Sequence, residues 1–503
     1  MVCKTNCATI TGISVLPVVV ETDIANGLPS FDMVGLLSSD VKESRERVRT
    51  ALKNSGFMIP TGRITINIAP GHIRKSGTYF DIAIAISLLQ SMGVINQDLT
   101  EMMFIGELSL DGEVVSVNGV LPIVMDAASR GIKKCFVPRD NAKECINFTG
   151  IEVIAIKSLS ELVMMLTSGK YEKLTVANRM TSETTKYKYD FKEIKGQTQA
   201  RRGAEIAAAG QHNLIMIGPP GTGKSAIAKA TQSILPDMDE KERMEISKIQ
   251  SIAGNLKDGP VRTRPFRSPH NTATVAAMTG GGINPKPGEI TLAHGGVLYM
   301  DEFPEFRRAV METLRQPLED GIIKVSRVGG DYEFPARFIL LAAMNPCRCG
   351  YYPDRNRCNC TERDVQKYTE KVSGPIMDRM DLCVHMNPVK YTELEMEEGV
   401  EDSETIRERV NKAVKIQRER YVNENILFNS QLEGEMLNKY CHLDSKEKAL
   451  MENIYETFKL SVRSYQKILK VARTIADLAC DKNIKERHLA EALSFKVNDG
   501  KSS

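Results

Sequence analysis

Apolar and polar positions divide this chain into stretches of different period. Up to about residue 167, short apolar runs at 15–21, 64–68, 135–137 and 153–156 alternate with segments at 41–53 and 81–89 whose apolar residues recur every three or four positions. Interleaving of this kind predicts an α/β or α+β domain with its own core over 1–167. Residues 168–189 are rich in Lys, Thr and Ser without an apolar period, which predicts a linker. A second domain over 190–391 opens with a small-residue helix at 200–209. It carries buried-type strands at 213–217, 297–300 and 338–344, each ending in a polar or glycine-rich segment. From 392 to 503 the period becomes helical, with helices predicted at 401–420, 444–458, 462–481 and 484–495.

The segment after the first of those strands reads Gly218-Pro219-Pro220-Gly221-Thr222-Gly223-Lys224-Ser225, a complete Gly-x-x-x-x-Gly-Lys-[Ser/Thr] phosphate-binding loop between a strand and helix-forming Ala226-Ile227-Ala228-Lys229-Ala230. Glycines let consecutive backbone N–H groups turn inward on phosphates, Lys224 adds a charge near the β- and γ-phosphates, and the Ser225 hydroxyl is a ligand for Mg²⁺. The strand Val297-Leu298-Tyr299-Met300 ends in Asp301-Glu302, a Walker B pattern. Asp301 is placed to hold Mg²⁺ through water and Glu302 to orient and deprotonate the attacking water. The cofactors expected are ATP and Mg²⁺.

Composition narrows the partners. The 503 residues carry a net charge of +3, with 42% hydrophobic and 26% charged residues, an ordinary soluble balance that gives no global nucleic-acid signal. The dense charges of Val41-Lys42-Glu43-Ser44-Arg45-Glu46-Arg47-Val48-Arg49 read first as a solvated helix face and second as a nucleic-acid contact. The apolar residues 13–20 are too short to span a bilayer, so no membrane contact is expected. Eleven cysteines without a secretion signal predict a reducing compartment, the cytoplasm. Four of them, Cys347, Cys349, Cys358 and Cys360, fall within a loop rich in Gly, Pro, Asp and Asn. They form two Cys-x-Cys pairs with the ligand count of a tetrahedral structural Zn²⁺ site over 347–360, which explains the crowding better than disulfides do.

Two front stretches resemble the proteolytic domain of Lon proteases: Ala69-Pro70-Gly71-His72-Ile73-Arg74-Lys75-Ser76-Gly77-Thr78-Tyr79-Phe80-Asp81, and Ile105-Gly106-Glu107-Leu108-Ser109-Leu110-Asp111-Gly112-Glu113-Val114 with Val117-Asn118-Gly119. The resemblance implies that fold. Its Ser slot falls on Tyr79, and the segment that should carry the activating Lys reads Val120-Leu121-Pro122-Ile123. Ser76 and Lys75 lie nearby but are sequence neighbours, so the domain is expected to be non-catalytic.

A longer set of matches resembles the magnesium-chelatase-like AAA+ ATPases of the ComM/YifB group. It comprises Arg264-Pro265-Phe266-Arg267-Ser268-Pro269-His270-Asn271-Thr272, Gly280-Gly281-Gly282, Pro285-Lys286-Pro287-Gly288-Glu289-Ile290-Thr291-Leu292-Ala293-His294 and Asp301-Glu302-Phe303-Pro304-Glu305-Phe306. At the front Asn26-Gly27-Leu28-Pro29-Ser30-Phe31 and Val34-Gly35-Leu36 join it, and at the back Leu460-Ser461-Val462-Arg463. The chain departs from the family pattern at Leu37, where Pro is usual, and at Asn271, the second His of a frequent His-His pair. The resemblance implies an α/β multidomain architecture: a Lon-like domain, a P-loop core with a parallel sheet, and an all-helical lid.

In AAA+ terms Asn345 matches the sensor 1 slot that reads the γ-phosphate, Arg379 the arginine finger that reaches a neighbour's nucleotide, and Arg463 the sensor 2 cation of the lid. Ile194, Gly196 and Gln197 match the segment near the adenine base, while Arg473 reads as structural. The family resemblance further implies a hexameric, ATP-hydrolysing DNA motor that drives branch migration of single-stranded or branched recombination intermediates, as in natural transformation. Lys324 and Arg327 on a hairpin around Gly329-Gly330, and Lys286 in a Gly- and Pro-rich insertion, are candidate phosphate contacts in the pore or simply exposed residues. The alternative is a protein-remodelling or metal-chelatase-type motor subunit.

Overall fold

The structure is a computed structural model that describes residues 2–146, 148–171, 187–256, 258–282, 285–327, 330–389 and 400–496. Its first sheet is built on β1 (Cys3–Thr11) and β2 (Ser14–Ala25), an antiparallel pair closed by a turn at Gly12-Ile13. With β3 (Ser30–Val34), β4 (Arg63–Ala69), β5 (Met102–Phe104), β6 (Lys134–Pro138) and β7 (Glu152–Ile156) the order is β3-β4-β2-β1-β5-β6-β7. Strand alternation places successive residues on opposite faces, and each face has its own core. Cys7 and Phe104 belong to one cluster, under the helices Asp81–Ser91 and Leu159–Ser168; Ala8, Met103 and Ile105 belong to the other, under the helix Val120–Ser129. The sheet is mixed, antiparallel at β1, β2 and β4 and parallel elsewhere.

The second sheet comprises β8 (Leu214–Ile217), β9 (Phe266–Arg267), β10 (Val297–Met300), β13 (Ile339–Met344) and β14 (Leu382–His385), interrupted in sequence by the hairpin of β11 (Ile322–Arg327) and β12 (Gly330–Pro335). Its order is β9-β10-β13-β8-β14 and every pairing is parallel. Strands buried on both faces need no polar alternation, which is why β10 and β13 read as unbroken apolar runs. The phosphate-loop strand β8 lies between β13 and β14.

Among the described residues five α-helices follow: Ser403–Arg420, Gly434–Tyr440, Ser445–Thr457, Val462–Leu478 and Glu486–Ser494. Four of them match the predicted periods; Gly434–Tyr440 is an addition. Their apolar faces share one cluster with the alanine-rich helix Thr198–Gly210 and with β8 and β14. Arg473 is buried among them, bonded to Asp477 and to the carbonyls of Asp481 and Lys482. The helix Leu159–Ser168 reaches the first residue of the expected linker; residues 172–186 of that linker and residues 390–399 around the expected start of the lid lie outside the described residues. Among the described residues no helix is long and apolar enough to cross a membrane.

Candidate functional site

The loop 218–223 leaves the carboxyl end of β8. Gly221 and Gly223 have φ of +81° and +89°, a conformation that glycine adopts without penalty. At Gly218 the constraint is space, because a Cβ there would lie 2.5 Å from the Met386 carbonyl oxygen. Helix Lys224–Ile234 starts directly on the loop, so its unpaired N–H groups face the site. Lys224 Nζ donates to the carbonyls of Gly218 (2.6 Å) and Pro219 (2.9 Å) and to Asn345 Oδ1 (3.2 Å). Burial holds its pKa below the ordinary lysine value, with the Asp301 charge pulling the other way.

Ser225 Oγ donates to Asp301 Oδ2 at 2.9 Å and accepts from the Tyr299 hydroxyl at 3.2 Å. Two hard oxygen donors, a hydroxyl and a carboxylate, thus meet beside the loop, and they fit Mg²⁺, which takes its remaining ligands from phosphate and water. Glu302 follows in the left-handed region, φ 50° and ψ 45°, a conformation rare for a side-chain-bearing residue and concentrated at functional sites. Its Oε2 accepts from Asn271 Nδ2 at 3.0 Å. Gln197 Nε2 donates to the Thr222 carbonyl (3.1 Å) and the Asn387 carbonyl (2.6 Å), which brings it to the loop; Gly196 beside it is at φ +64°, and Ile194 is buried in the core cluster.

The four sulfurs of Cys347, Cys349, Cys358 and Cys360 lie within 4.8 Å of one another. Separations of 3.3, 3.8 and 3.5 Å are close to the edge of about 3.8 Å of a tetrahedron with Zn–S bonds of ~2.3 Å. Hydrogen bonding from the Tyr351 backbone draws the Cys349 thiol down to about 6, whereas burial pushes Cys358 up to about 12. The set fits a four-coordinate metal with no open position. At φ +91°, Gly350 lies against the phosphate loop, where a Cβ would come within 2.8 Å of Pro220 and 3.8 Å of Asn345.

Arg379 and Arg463 are brought together, and not with Lys224. Asn213, at the amino end of β8, donates to the Arg379 carbonyl and accepts from Leu340 N–H. The four residues of β8, about 13 Å at ~3.3 Å each, separate that end from the phosphate loop. There the Arg379 guanidinium pairs with Glu319 and donates to the Pro375 carbonyl at 2.6 Å, while Arg463 Nη1 stands 3.4 Å from Asp378. Both arginines line a cleft of about 390 Å³ with Arg337 and Lys467. The lid cation therefore lies across the sheet from its own phosphate loop, because the helix Val462–Leu478 packs toward the amino ends of the strands through Lys467 Nζ and the Met380 carbonyl (2.9 Å).

Of the basic candidates, Arg327 reaches the backbone of the segment that carries Lys286. Gly281 bridges to Lys286, and the Arg327 guanidinium stands 3.5 Å from the position a Gly281 Cβ would take. Lys324 lies on the exposed face of β11, paired with Glu333 across the hairpin at 3.0 Å. Val328 and Gly329 at the expected turn, and Ile283 and Asn284 in the insertion, lie outside the described residues.

In the first domain Tyr79 is partly buried, desolvation pushing its hydroxyl up to about 12, and Val120 and Leu121 are core residues. Lys75 is buried with its ammonium on the Pro70 carbonyl, and the Ser76 carbonyl accepts from Thr9 Oγ1 at 2.8 Å. No Ser–Lys pair stands at the Lon positions.

The contributions of Asn271 and Tyr299 are not legible in the sequence alone. Asn271 lies in the turn after β9, and that turn brings its amide to the Glu302 carboxylate just beyond the end of the neighbouring strand β10.

Comparison with known proteins agrees with this architecture. Residues 190–394 match the family described as magnesium chelatase, subunit ChlI; residues 20–141 match subunit ChlI of Mg-chelatase, and residues 400–496 the ChlI C-terminal family. The competence protein ComM of Haemophilus influenzae is 38% identical over 494 residues, covering 97% of this chain and 96% of the relative. The YifB protein of Escherichia coli is 39% identical over 492 residues with the same coverage of both chains. Lon protease 2 of Bacillus subtilis is 35% identical over 144 residues, 27% of this chain and 26% of its own length. With a Lon-like first domain, a parallel P-loop core and a helical lid matched along nearly its whole length, the chain belongs to the ComM/YifB family of magnesium-chelatase-like AAA+ proteins.

Proposed function

We propose that this protein is a Mg²⁺-dependent ATPase that works as a ring, six subunits in the family's usual form, and translocates DNA. The observation that carries the reading is the separation of Lys224, Ser225 and Asp301 from Arg379 and Arg463 across one sheet. Each chain carries two complementary halves of a nucleotide site at opposite ends of the strands, and a head-to-tail ring joins the half of one subunit to the half of the next. Lys224 and the loop amides bind the phosphates, and Ser225 and Asp301 hold Mg²⁺. The metal supplies neutralisation of charge on the transferring phosphoryl group. Glu302 takes the proton of the attacking water, Asn345 orients that water, and Arg379 and Arg463 of the neighbour stabilise the developing charge. Gln197, Gly196 and Ile194 border the base, and Cys347, Cys349, Cys358 and Cys360 would hold a structural Zn²⁺ that would brace the 347–360 loop beside the phosphate loop.

The DNA reading draws on Arg327, whose guanidinium stands at the segment that carries Lys286, and on relatives whose names concern competence and, at 26% identity over 60% of this chain, DNA replication licensing. We infer branch migration of recombination intermediates as the task and the cytoplasm as its place. The working units are 1–167, the ATPase core 190–391 and the lid 392–503, joined across 168–189. ATP turnover measured with and without single-stranded and forked DNA tests the reading. Stimulation by DNA that depends on Lys286 and Arg327 is expected; turnover indifferent to DNA would return a protein-remodelling or chelatase-type motor.

A further inference from the structure

A Lon-like domain without the Ser–Lys pair needs another reason to be retained beside a motor, and its contacts supply one. The turn between β1 and β2 lies on the root of the β11–β12 hairpin. Gly12 has φ +64°, and a Cβ on it would be 3.1 Å from Tyr332 Cδ1 and 3.7 Å from both Tyr332 Cβ and Phe334 Cζ. The neighbouring Ile13 packs with Tyr332 on the cluster that holds Ile323, Val325 and Phe334, the buried face of the same hairpin. Two-stranded hairpins are marginal by themselves and take their position from what they pack on. Here part of that support comes from the other domain.

A second contact lies beside it, where Gly119 stands between Ile10 of β1 and Ile252. The helix Glu240–Ile252 accepts Gly119 N–H on the Ser251 carbonyl at 2.9 Å, and Ser251 Oγ donates to the buried Glu144 carboxylate at 2.5 Å; Glu144 is held in turn by Asn141 Nδ2 at 2.7 Å. Met244 and Leu256 pack into the core of the Lon-like domain. On its other side the same helix holds the end of the basic insertion: Gln250 Nε2 donates to the Leu292 carbonyl at 3.1 Å, and Glu245 pairs with His294 at 3.3 Å. The domain thus touches the hairpin that carries Lys324 and Arg327 directly, and the segment that carries Lys286 through one helix.

We propose that the Lon-like domain is a rigid shoulder that sets the position of the hairpin, with Gly12, Ile13 and Tyr332 as the positioning residues. The inference rests on the reading of the hairpin as a DNA contact and gives the first domain a place in that same site. A shoulder differs from a moving gate in one respect: its contact stays closed throughout the cycle.

The geometry permits a direct test, because 3.7 Å between the Cβ positions at 12 and 332 is within the span of a disulfide. In the full-length protein carrying Gly12→Cys and Tyr332→Cys, the oxidised form is expected to match the reduced form within twofold in basal ATP turnover and in its stimulation by forked DNA. Each single-cysteine variant under the same oxidant separates the new bond from effects on the other eleven cysteines. Loss of DNA stimulation on oxidation of the double variant alone would overturn the proposal, since the contact would then have to open.

Ile13→Asp places a carboxylate in the apolar contact and is expected to raise the DNA concentration for half-maximal stimulation roughly tenfold while basal kcat stays within twofold. It is also expected to speed amide hydrogen exchange in residues 322–327 and 330–335. An unchanged DNA response in this variant would overturn the shoulder. If the wild-type protein shows no DNA response, the translocase reading fails instead, and hydrogen exchange alone decides: faster exchange in Ile13→Asp supports the shoulder, and unchanged exchange overturns it.

Discussion

The side-chain amide of Asn271 donates to the carboxylate of Glu302 at 3.0 Å, so the residue best placed to activate water is held by a neutral partner from the adjacent strand end. A hydrogen bond of this kind fixes the direction of the carboxylate and occupies one of its two oxygens. Asn271→Ala is expected to raise DNA-independent ATP turnover about fivefold and to flatten the response to DNA, whereas Glu302→Gln should lower kcat by roughly 10²–10⁴, the range of a lost general base. Steady-state ATPase assays read both.

Arg379 and Arg463 act on a neighbour's nucleotide if the sites are shared, so complementation distinguishes this arrangement from a site within one chain. Arg379→Ala and Lys224→Ala proteins are each expected to be inactive, with a loss of at least about a hundredfold for the arginine. Mixed in equal amounts, they regenerate about a quarter of the sites, one subunit supplying an intact phosphate loop and the next an intact arginine. Absence of recovery in a confirmed mixed ring would count against the shared site.

The cysteine knuckle is expected to carry one zinc per chain by elemental analysis. Zinc takes the thiolate form of its ligands and burial pushes the Cys358 thiol up to about 12, so metal binding releases protons and affinity falls as pH is lowered. Proton release in weak buffer on adding Zn²⁺ to stripped protein checks the sign. Gly350→Val, which drives a side chain into Pro220, should raise KM for ATP severalfold with zinc content unchanged.

Arg327 and Lys286 are predicted to contribute through phosphate contacts. Replacing either by Ala should weaken DNA binding about equally for all sequences and reduce the slope of log K against log salt by roughly one, while basal ATP turnover stays unchanged.

Much of this site is legible in the sequence because its parts are local. The octet 218–225 carries its own glycines and lysine directly after the strand Leu214–Ile217, and Asp301-Glu302 closes a strand whose apolar run identifies it. What escapes the sequence depends on elements meeting across the chain. The amide of Asn271 reaches Glu302, 31 residues on in the chain, from the turn that follows a two-residue strand. Arg463 lies beside Asp378 because of how the lid helices pack against Thr198–Gly210, which no local period encodes. The helix Glu240–Ile252, which docks the first domain, did carry a signal: Asp239 and Glu242 form a complete capping box at its start. Tyr332 reads as an ordinary strand residue until the Gly12 turn is seen to lie on it.

The central claim, that nucleotide turnover on this chain moves DNA, is tested most directly on a synthetic four-way junction of homologous arms with the wild-type and Glu302→Gln proteins. The wild type is expected to convert the junction to duplex products only with ATP and Mg²⁺, and Glu302→Gln to bind the junction without converting it. ATP turnover by the wild type that proceeds at the same rate with and without the junction, and leaves it intact, would contradict the account.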